Sequence, residues 1–149
     1  LAQLADVFYL GGTKQGALFG EAVVITNDKL KRDFRYNIKQ GGGMLAKGRL
    51  LGIQFETLFT DNLYFDIARH ANVQAMRIKK ALQQNGYSFL IESPTNQQFP
   101  VLPNELIDEL SKEFLFSVWE KVDDDHTCVR ICTSWATKPE NVDKLIAML

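Results

Sequence analysis

The sequence predicts a mixed α/β fold, and three observations support this prediction. Two strand-like runs, residues 4–10 and 21–26, flank a glycine-rich turn. An apolar stripe at spacings of three and four predicts a long helix over residues 62–85. After that helix the pattern changes to short β-branched and aromatic runs bounded by turn residues, which is typical of a small antiparallel sheet.

The first part of the chain combines the two strands with a helix. Residues 4–10 and 21–26 are rich in β-branched and aromatic side chains and are bounded by glycines, so both predict strands. Asn27 and Asp28 can cap a helix that runs to about Gln40, with three apolar side chains four apart on one face, namely Leu30, Phe34 and Ile38. Three consecutive glycines, residues 41–43, then predict a tight turn or a close approach to a ligand or partner.

Two further helices are predicted in the middle of the chain. Residues 44–59 carry apolar side chains at helical spacing, together with small residues that suggest close packing against another helix. Residues 62–85 form the second helix, and Asn85-Gly86 is a stop signal. Its apolar stripe consists of Leu63, Ile67, Ala71, Ala75, Ile78 and Leu82.

The last part of the chain alternates strands and helices. Residues 87–92 and 97–102 predict two strands joined by a turn, and residues 116–122 and 127–135 predict a hairpin. Asn104 opens a helix that extends to about Phe114. Thr137 and Glu140 have the spacing of a capping box, with Pro139 in the first turn of a final helix.

These elements divide the chain into three parts. Residues 1–43 carry the first two strands, the glycine-rich turn between them and the first helix. Residues 60–149 form a compact α+β layer with a small, mostly antiparallel sheet, and the helix at 44–59 joins the two parts. Standing alone, the first part would expose strand edges and apolar faces, so we expect it to associate with other surfaces.

Composition narrows the class of protein. The 149 residues carry 17 basic and 18 acidic side chains, and the net charge is −1 at pH 7. This balance gives no electrostatic reason to expect nucleic acid or an anionic membrane as a partner. The apolar runs are only a few residues long, so none predicts a transmembrane span. The apolar fraction of 46% is that of an ordinary globular protein.

The two cysteines indicate a reducing compartment. Cys128 and Cys132 lie four residues apart in a strand-like run, which separates them by roughly 13 Å and excludes a disulfide. We interpret them as core-lining thiols and expect a cytoplasmic protein. The aspartates at 123–125 and His126 fit no standard zinc or calcium spacing and predict a solvated turn, so no metal is expected.

The turn at residues 11–20 holds a single lysine, Lys14, between the two strands. A lysine on a short turn after a buried strand is expected to be poorly hydrated and fixed in direction, and it can then form an imine with an aldehyde. The alternative is an ordinary surface lysine in a hairpin loop. A nucleotide phosphate loop is not supported, because Lys14 precedes Gly16 and no Gly-Lys-Ser/Thr ending follows.

Four segments together resemble one enzyme family. They are residues 5–14 (ADVFYLGGTK), 20–24 (GEAVV), 39–44 (KQGGGM) and 129–137 (VRICTSWAT). In this order they are similar to the threonine aldolase-like enzymes, which are grouped with the aromatic amino acid β-eliminating lyases. The resemblance extends along nearly the whole chain, and it implies the aminotransferase-like fold of pyridoxal-phosphate enzymes.

The resemblance also implies the position of these residues in a longer enzyme. Chains of that family are more than twice as long, with the counterpart of Lys14 past the middle. The chain is therefore expected to be a C-terminal fragment that contains the end of the large domain and the small α+β domain. The family's aspartate that pairs the pyridinium nitrogen, its ring-stacking histidine and its phosphate loop all precede the lysine, so we expect the fragment alone to be inactive.

The family assigns roles to two residues. Lys14 matches the lysine that carries pyridoxal 5'-phosphate and later acts as a general base. Arg130 matches the arginine that holds the substrate carboxylate, and alternation along its strand places it on the same face as Cys128 and Cys132. From the residues alone, a salt bridge from Arg130 to Glu120 across the hairpin is the competing interpretation.

Two more residues are candidates for the cofactor phosphate. Lys39 precedes the triple glycine, as a basic residue does in related aldolases, although its offset from the glycines differs slightly. A solvated lysine at a helix end is the alternative interpretation. Thr13 can donate to the phosphate or can simply form the turn.

The function expected from the resemblance is a pyridoxal-phosphate-dependent lyase that acts on a small amino-acid substrate. It would cleave Cα–Cβ of a β-hydroxy amino acid to glycine and an aldehyde, or it would catalyse β-elimination. An aminotransferase of the same fold and a non-catalytic α+β interaction module are the alternatives. The family's active sites are usually built between subunits, which implies a homodimer or homotetramer.

Overall fold

The computed structural model describes all 149 residues, which form two compact units at residues 1–64 and 65–149. Each unit is described by itself below. The predicted connecting helix at 44–59 falls within the first unit. The division of the chain into parts at 1–43, 44–59 and 60–149 stays a prediction about the domains of a whole enzyme.

The first unit begins with a two-stranded antiparallel hairpin. Strand β1 (Val7–Gly11) pairs with β2 (Glu21–Ile25) in a register that sets Gly11 opposite Glu21 and Val7 opposite Ile25. A single turn of 3₁₀ helix, Thr13–Gln15, lies between the strands. Both predicted strands are confirmed, although β1 begins three residues later than expected.

The helix predicted over residues 27–40 is interrupted. Asn27 caps only a short 3₁₀ turn, Asp28–Leu30, through a hydrogen bond from the Lys29 amide. Asp33 then adopts the left-handed conformation with φ 56°, which an α-helix does not accommodate. Helix α1 (Phe34–Gln40) begins after it. The prediction was therefore wrong for the first half of this segment.

The helix predicted over residues 44–59 is also shorter than expected. Helix α2 runs from Arg49–Phe59, and residues 44–48 are irregular and exposed. A short helix in water depends on tertiary packing for its stability, and these residues bury no side chain. The apolar pattern at Met44 and Leu45 was thus a misleading signal.

The long helix predicted over residues 62–85 is confirmed. Helix α3 spans Leu63–Gln84, and the buried part of its stripe is Ala71, Ala75, Ile78 and Leu82. The chain then turns at Gly86, which has φ 84°. Glycine adopts this conformation without the cost that a Cβ would bring, as the stop signal predicted.

The second unit contains a four-stranded antiparallel sheet. Its order is β3 (Phe89–Ile91), β4 (Gln97–Pro103), β6 (His126–Cys132) and β5 (Ser117–Lys121). Helix α4 (Asn104–Leu110) follows β4, and α5 (Pro139–Ile146) follows β6. The small antiparallel sheet and the hairpin predicted from the sequence are both confirmed.

One face of this sheet forms the core of the second unit. Side chains from α3, α4 and α5 pack there against residues of β4 and β6, and the members are Ile78, Leu82, Leu102, Leu110, Val129, Ile131, Val142 and Leu145. Strand residues alternate between faces, so Cys128 and Arg130 of β6 belong to the opposite face. Cys128 on this opposite face is nevertheless fully buried.

Buried polar groups tie the loops to this core. The Thr133 hydroxyl donates to the Ala71 carbonyl of α3 at 2.7 Å, and the Gln98 amide donates to the Thr95 carbonyl at 2.7 Å. The predicted capping box is absent, because the Thr137 hydroxyl accepts from the Ser134 amide instead. Helix α5 begins two residues later with Pro139, whose missing N–H needs no cap.

The two cysteines differ from each other. Both are free, as predicted, and Cys128 is fully buried. Burial, followed by the charge of Glu120, raises the pKa of the Cys128 thiol, which lies buried on the sheet face opposite the helices. Cys132 is exposed, so the prediction that it lines the core was wrong, because it stands at the end of β6.

No helix of the chain combines the length and apolar character that a membrane span requires.

Truncation of the core should destabilise the protein. Leu82 is 0% exposed at the centre of the core, so Leu82→Ala should lower the free energy of unfolding by about 2–5 kcal/mol. Urea unfolding followed by circular dichroism measures this loss. Leu115→Ala is the matched control, because Leu115 is 101% exposed and its truncation should change stability by less than about 0.5 kcal/mol. Equal losses in the two variants would contradict the assigned core.

Candidate active site

The lysine turn is closed by its own backbone. The amide groups of Gln15 and Ala17 both donate to the Gly12 carbonyl, at 2.9 and 3.0 Å. Gly16 and Gly20 have φ of 91° and 99°, which lie in the left-handed region that only glycine enters freely. The sequence places glycines at the positions where this tight path requires them.

Helix α2 packs directly against these glycines. A Cβ atom on Gly12 would come within 2.9 Å of the Phe55 ring, and one on Gly20 would overlap the Leu51 side chain. The Gln54 side chain accepts a hydrogen bond from the Leu18 amide at 2.6 Å. The turn is therefore held against α2 by both apolar contact and a polar tie.

A second polar tie reaches the end of β1. The Tyr64 hydroxyl donates to the Gly11 carbonyl at 3.0 Å, and the Tyr64 ring lies against Phe59, with 5.1 Å between ring centroids. Tyr64 and Gln54 were not identified from the sequence. Neither has a spacing signal, because their partners lie 53 and 36 residues away along the chain.

Lys14 projects from this turn into solvent. Its side chain is exposed, and no carboxylate lies within 4.0 Å of its ammonium group. The expected poor hydration is therefore not observed, because α2 covers the glycine side of the turn and leaves Lys14 uncovered. Its backbone is fixed, and its amino group has no partner in the chain.

The two phosphate candidates are also exposed. Thr13 precedes Lys14 in the same 3₁₀ turn, and its hydroxyl makes no hydrogen bond. Lys39 lies in the last turn of α1 without an ion pair. The glycines at 41–43 wind back onto the end of α1, where the Gly43 amide donates to the Ile38 carbonyl at 2.9 Å. Of the two interpretations of the triple glycine, the tight turn is present.

Arg130 lies in β6 of the second unit, on the sheet face opposite the helices. Its guanidinium carbon stands 5.6 Å from the centroid of the Trp119 ring. One of its terminal nitrogens donates to the Ser117 hydroxyl at 3.3 Å. Its Nε–H is buried and has no acceptor. The positive charge of Arg130 is thus not neutralised by a carboxylate, and its guanidinium lies against the Trp119 ring.

The predicted alternative, a salt bridge from Arg130 to Glu120, is absent. Register places Ser117 opposite Arg130, whereas Glu120 lies opposite Cys128, two residues before Arg130 in β6. No carboxylate comes within 4.0 Å of the Arg130 guanidinium. The competing structural interpretation of this arginine is therefore wrong.

Thr13, Lys14 and Lys39 belong to the first unit, and Arg130 belongs to the second. Within the first unit, Thr13 and Lys14 share one turn, and Lys39 stands on a separate helix. Trp119, the aromatic partner of Arg130, was not identified as a site residue from the sequence. Its place on the other strand of the predicted hairpin was the signal that could have joined it to Arg130.

The fold described above places the chain in a known structural class of proteins. The fold matches 8-amino-7-oxononanoate synthase from Francisella tularensis with a TM-score of 0.57 at 13% identity, over 87% of this chain and 40% of that one. The chain therefore has the aminotransferase-like fold that the resemblance implied. No protein-family model matches the chain.

Within that class the chain is a homologue of the threonine aldolases. The structure of Leishmania major threonine aldolase matches 98% of this chain and 43% of its own, with a TM-score of 0.92 and 44% identity. Low specificity L-threonine aldolase of a Pseudomonas species is 31% identical over 148 residues. The corresponding Pseudomonas aeruginosa protein is 32% identical over 106 residues. The chain spans 40% and 31% of the lengths of these two relatives.

Substitution of Gly20 should disturb the lysine turn. In Gly20→Ala the new methyl group would meet Leu51, and the backbone would keep a positive φ, so a loss of about 1–3 kcal/mol of stability is expected. Thermal unfolding and limited proteolysis of the turn measure the effect. Gly11→Ala is the control, because a Cβ there meets nothing within 4 Å. A fully stable Gly20→Ala variant would show that α2 does not hold the turn.

Proposed function

We propose that the protein containing this chain is a pyridoxal-phosphate-dependent lyase that cleaves the Cα–Cβ bond of a β-hydroxy amino acid. The observation that carries this proposal is the match to Leishmania major threonine aldolase at 44% identity over 98% of the chain. The remaining 2% is too short for either the lysine turn or the Arg130 strand to lie outside the match. The reaction would convert L-threonine to glycine and acetaldehyde.

The residues of the first unit fit the cofactor. The Lys14 amino group has no competing carboxylate, so it is available to hold an aldehyde, and the fixed turn limits where it can reach. The Thr13 hydroxyl and the Lys39 ammonium are two free donors of the kind that a phosphate requires. We assign the cofactor to Lys14, Thr13 and Lys39.

Arg130 would hold the substrate. Four of its five N–H donors have no acceptor in the chain, and a carboxylate is the group that matches two of them in one plane. Burial of an arginine Nε–H without a partner costs free energy, and an anionic ligand would remove that cost. The site would therefore bind an amino acid more tightly than an amine that lacks the carboxylate.

Each of these residues would have its own role in the reaction. When bound, pyridoxal phosphate supplies an aldehyde for the substrate amine and a ring that withdraws electrons from the bond broken at Cα. Arg130 would fix the carboxylate, and through it the orientation of Cα. The neutral Lys14 Nζ would accept the proton that the substrate hydroxyl loses as the aldehyde leaves, and it would return a proton to Cα as glycine forms, so the proton count balances.

The same proposal includes the cellular location, the oligomeric state and the domains of the enzyme. Free cysteines in a chain of this composition support a cytoplasmic protein. The exposed apolar side chains of the β1–β2 hairpin, Tyr9 at 68% and Val23 at 52%, support burial of this unit against further protein. We propose a homodimer or homotetramer, in which residues 1–43 complete the large domain and 60–149 form the small one.

Lys14 should be the residue that binds the cofactor covalently. Borohydride reduction of the cofactor-loaded protein, followed by peptide mapping, should find the label on Lys14, because reduction fixes the imine nitrogen to its lysine. Lys14→Arg should carry no label, since a guanidinium does not form the imine. Lys47→Arg is the control and should be labelled fully. Label on any other lysine would refute the assignment.

Substitution of Arg130 should weaken substrate binding. Arg130→Lys retains the charge but loses the planar fork, so the KM for L-threonine should rise about tenfold or more while the fold is unchanged. Steady-state kinetics measure KM and kcat separately. Arg69→Lys, an exposed arginine on α3, is the matched control and should leave both unchanged. An unaltered KM in Arg130→Lys would contradict the proposed role.

A further inference from the structure

The guanidinium of Arg130 lies against an aromatic side chain, Trp119, on the sheet face opposite the helices. Trp119 lies under the guanidinium, and Phe99 meets the Trp119 ring edge-on, with 5.0 Å between centroids and an interplanar angle of 70°. Phe99 is 9% exposed and is therefore anchored. Phe99, Trp119 and Arg130 form a continuous row of contacts that starts from a buried ring and ends at a cation.

Trp119 packs against Phe99 on one side and stays partly open to solvent. It is 47% exposed, and it belongs to β5, the edge strand of the sheet. It also stands at an irregularity in the ladder, between the pairs Val118–Val129 and Glu120–Cys128. The strand accommodates Trp119 as an extra residue without changing the pairs on either side.

We propose that Trp119 is a positioning residue that fixes the plane of the Arg130 guanidinium for recognition of the substrate carboxylate. The inference rests on the proposed function and adds a residue to it. A carboxylate accepts two parallel N–H bonds only when both lie in its own plane. A ring beneath the guanidinium limits rotation about the side-chain torsions and leaves the in-plane donors free.

The pattern of hydrogen bonds supports this role. Ser117 takes one donor from a terminal nitrogen at 3.3 Å, which marks one edge of the guanidinium. The remaining donors, including the buried Nε–H, have no partner. If Arg130 served only to stabilise the sheet, its charge would be expected to meet a carboxylate, and Glu120 is the nearest candidate along the ladder. It does not pair.

The test measures discrimination between ligands with and without a carboxylate. Dissociation constants for glycine and for methylamine are determined by calorimetry with the full-length, cofactor-loaded enzyme. Methylamine lacks the carboxylate, so its affinity reports on the state of the rest of the site. Trp119→Leu should weaken glycine about fivefold and leave methylamine unchanged, since the lost stack affects only the carboxylate grip. Trp119→Phe should recover most of the discrimination.

Two controls make the result specific. Trp135→Leu removes another exposed tryptophan, 51% exposed, that does not contact Arg130, and it should leave both constants unchanged. In an Arg130→Ala background, Trp119→Leu should have no further effect on glycine, because the group that it positions is gone. A purely structural tryptophan would act equally in both backgrounds.

The outcomes separate this inference from the proposed function. If Arg130→Ala reduces discrimination and Trp119→Leu does not, Trp119 is no positioning residue and the carboxylate role of Arg130 stands. If neither substitution reduces it, both the carboxylate site and this inference are wrong. If both do so, and the effect of Trp119→Leu disappears in the Arg130→Ala background, the inference is supported.

Discussion

Burial of one face of the antiparallel sheet is the constraint on which the second unit depends. In β6 the residues Val129 and Ile131 enter the core beneath α3 and α5, and this alone fixes the register of the strand. A shift by one residue would exchange the two faces and place Arg130 in the apolar core, at a prohibitive cost. The position of the arginine is therefore a consequence of where its neighbours must be buried.

The first unit depends on a different constraint, the close approach of a helix to a glycine turn. Leu51 and Phe55 occupy space that a side chain at Gly20 or Gly12 would need. The turn is thereby fixed through its backbone, and the side chain of Lys14 stays uncommitted. A rigid support with a free amino group is a suitable arrangement for a residue that must bind and release a ligand.

Much of the fold was predictable from local pattern. The stripe of α3 and the alternation of β6 are strong periodic signals, because each element buries one face against a continuous core. The signals failed where no burial supports them. Residues 44–48 have helical spacing but no packing partner, and Asp33 breaks a helix that its sequence allowed.

The candidate site was predictable only in part, for a related reason. Lys14 stood out from its local turn, whereas Thr13, Lys39 and Arg130 came from a family resemblance, which no local pattern supplies. The contacts that fix them join distant segments, as Tyr64 joins Gly11, and such contacts leave no spacing signal. The environment of Lys14 was mispredicted because the sequence does not indicate which side of the turn α2 covers.

The irregularity in β5 has a consequence for how such a site can change. Because Trp119 is the extra residue between two intact pairs, loss of this one residue would leave Val118 opposite Val129 and Glu120 opposite Cys128 in an uninterrupted ladder. Deletion of this single codon would therefore remove the aromatic ring, and its insertion would add the ring, while the register of the hairpin stays the same. The ring that contacts Arg130 can therefore be gained or lost without a change in the pairing of the strands.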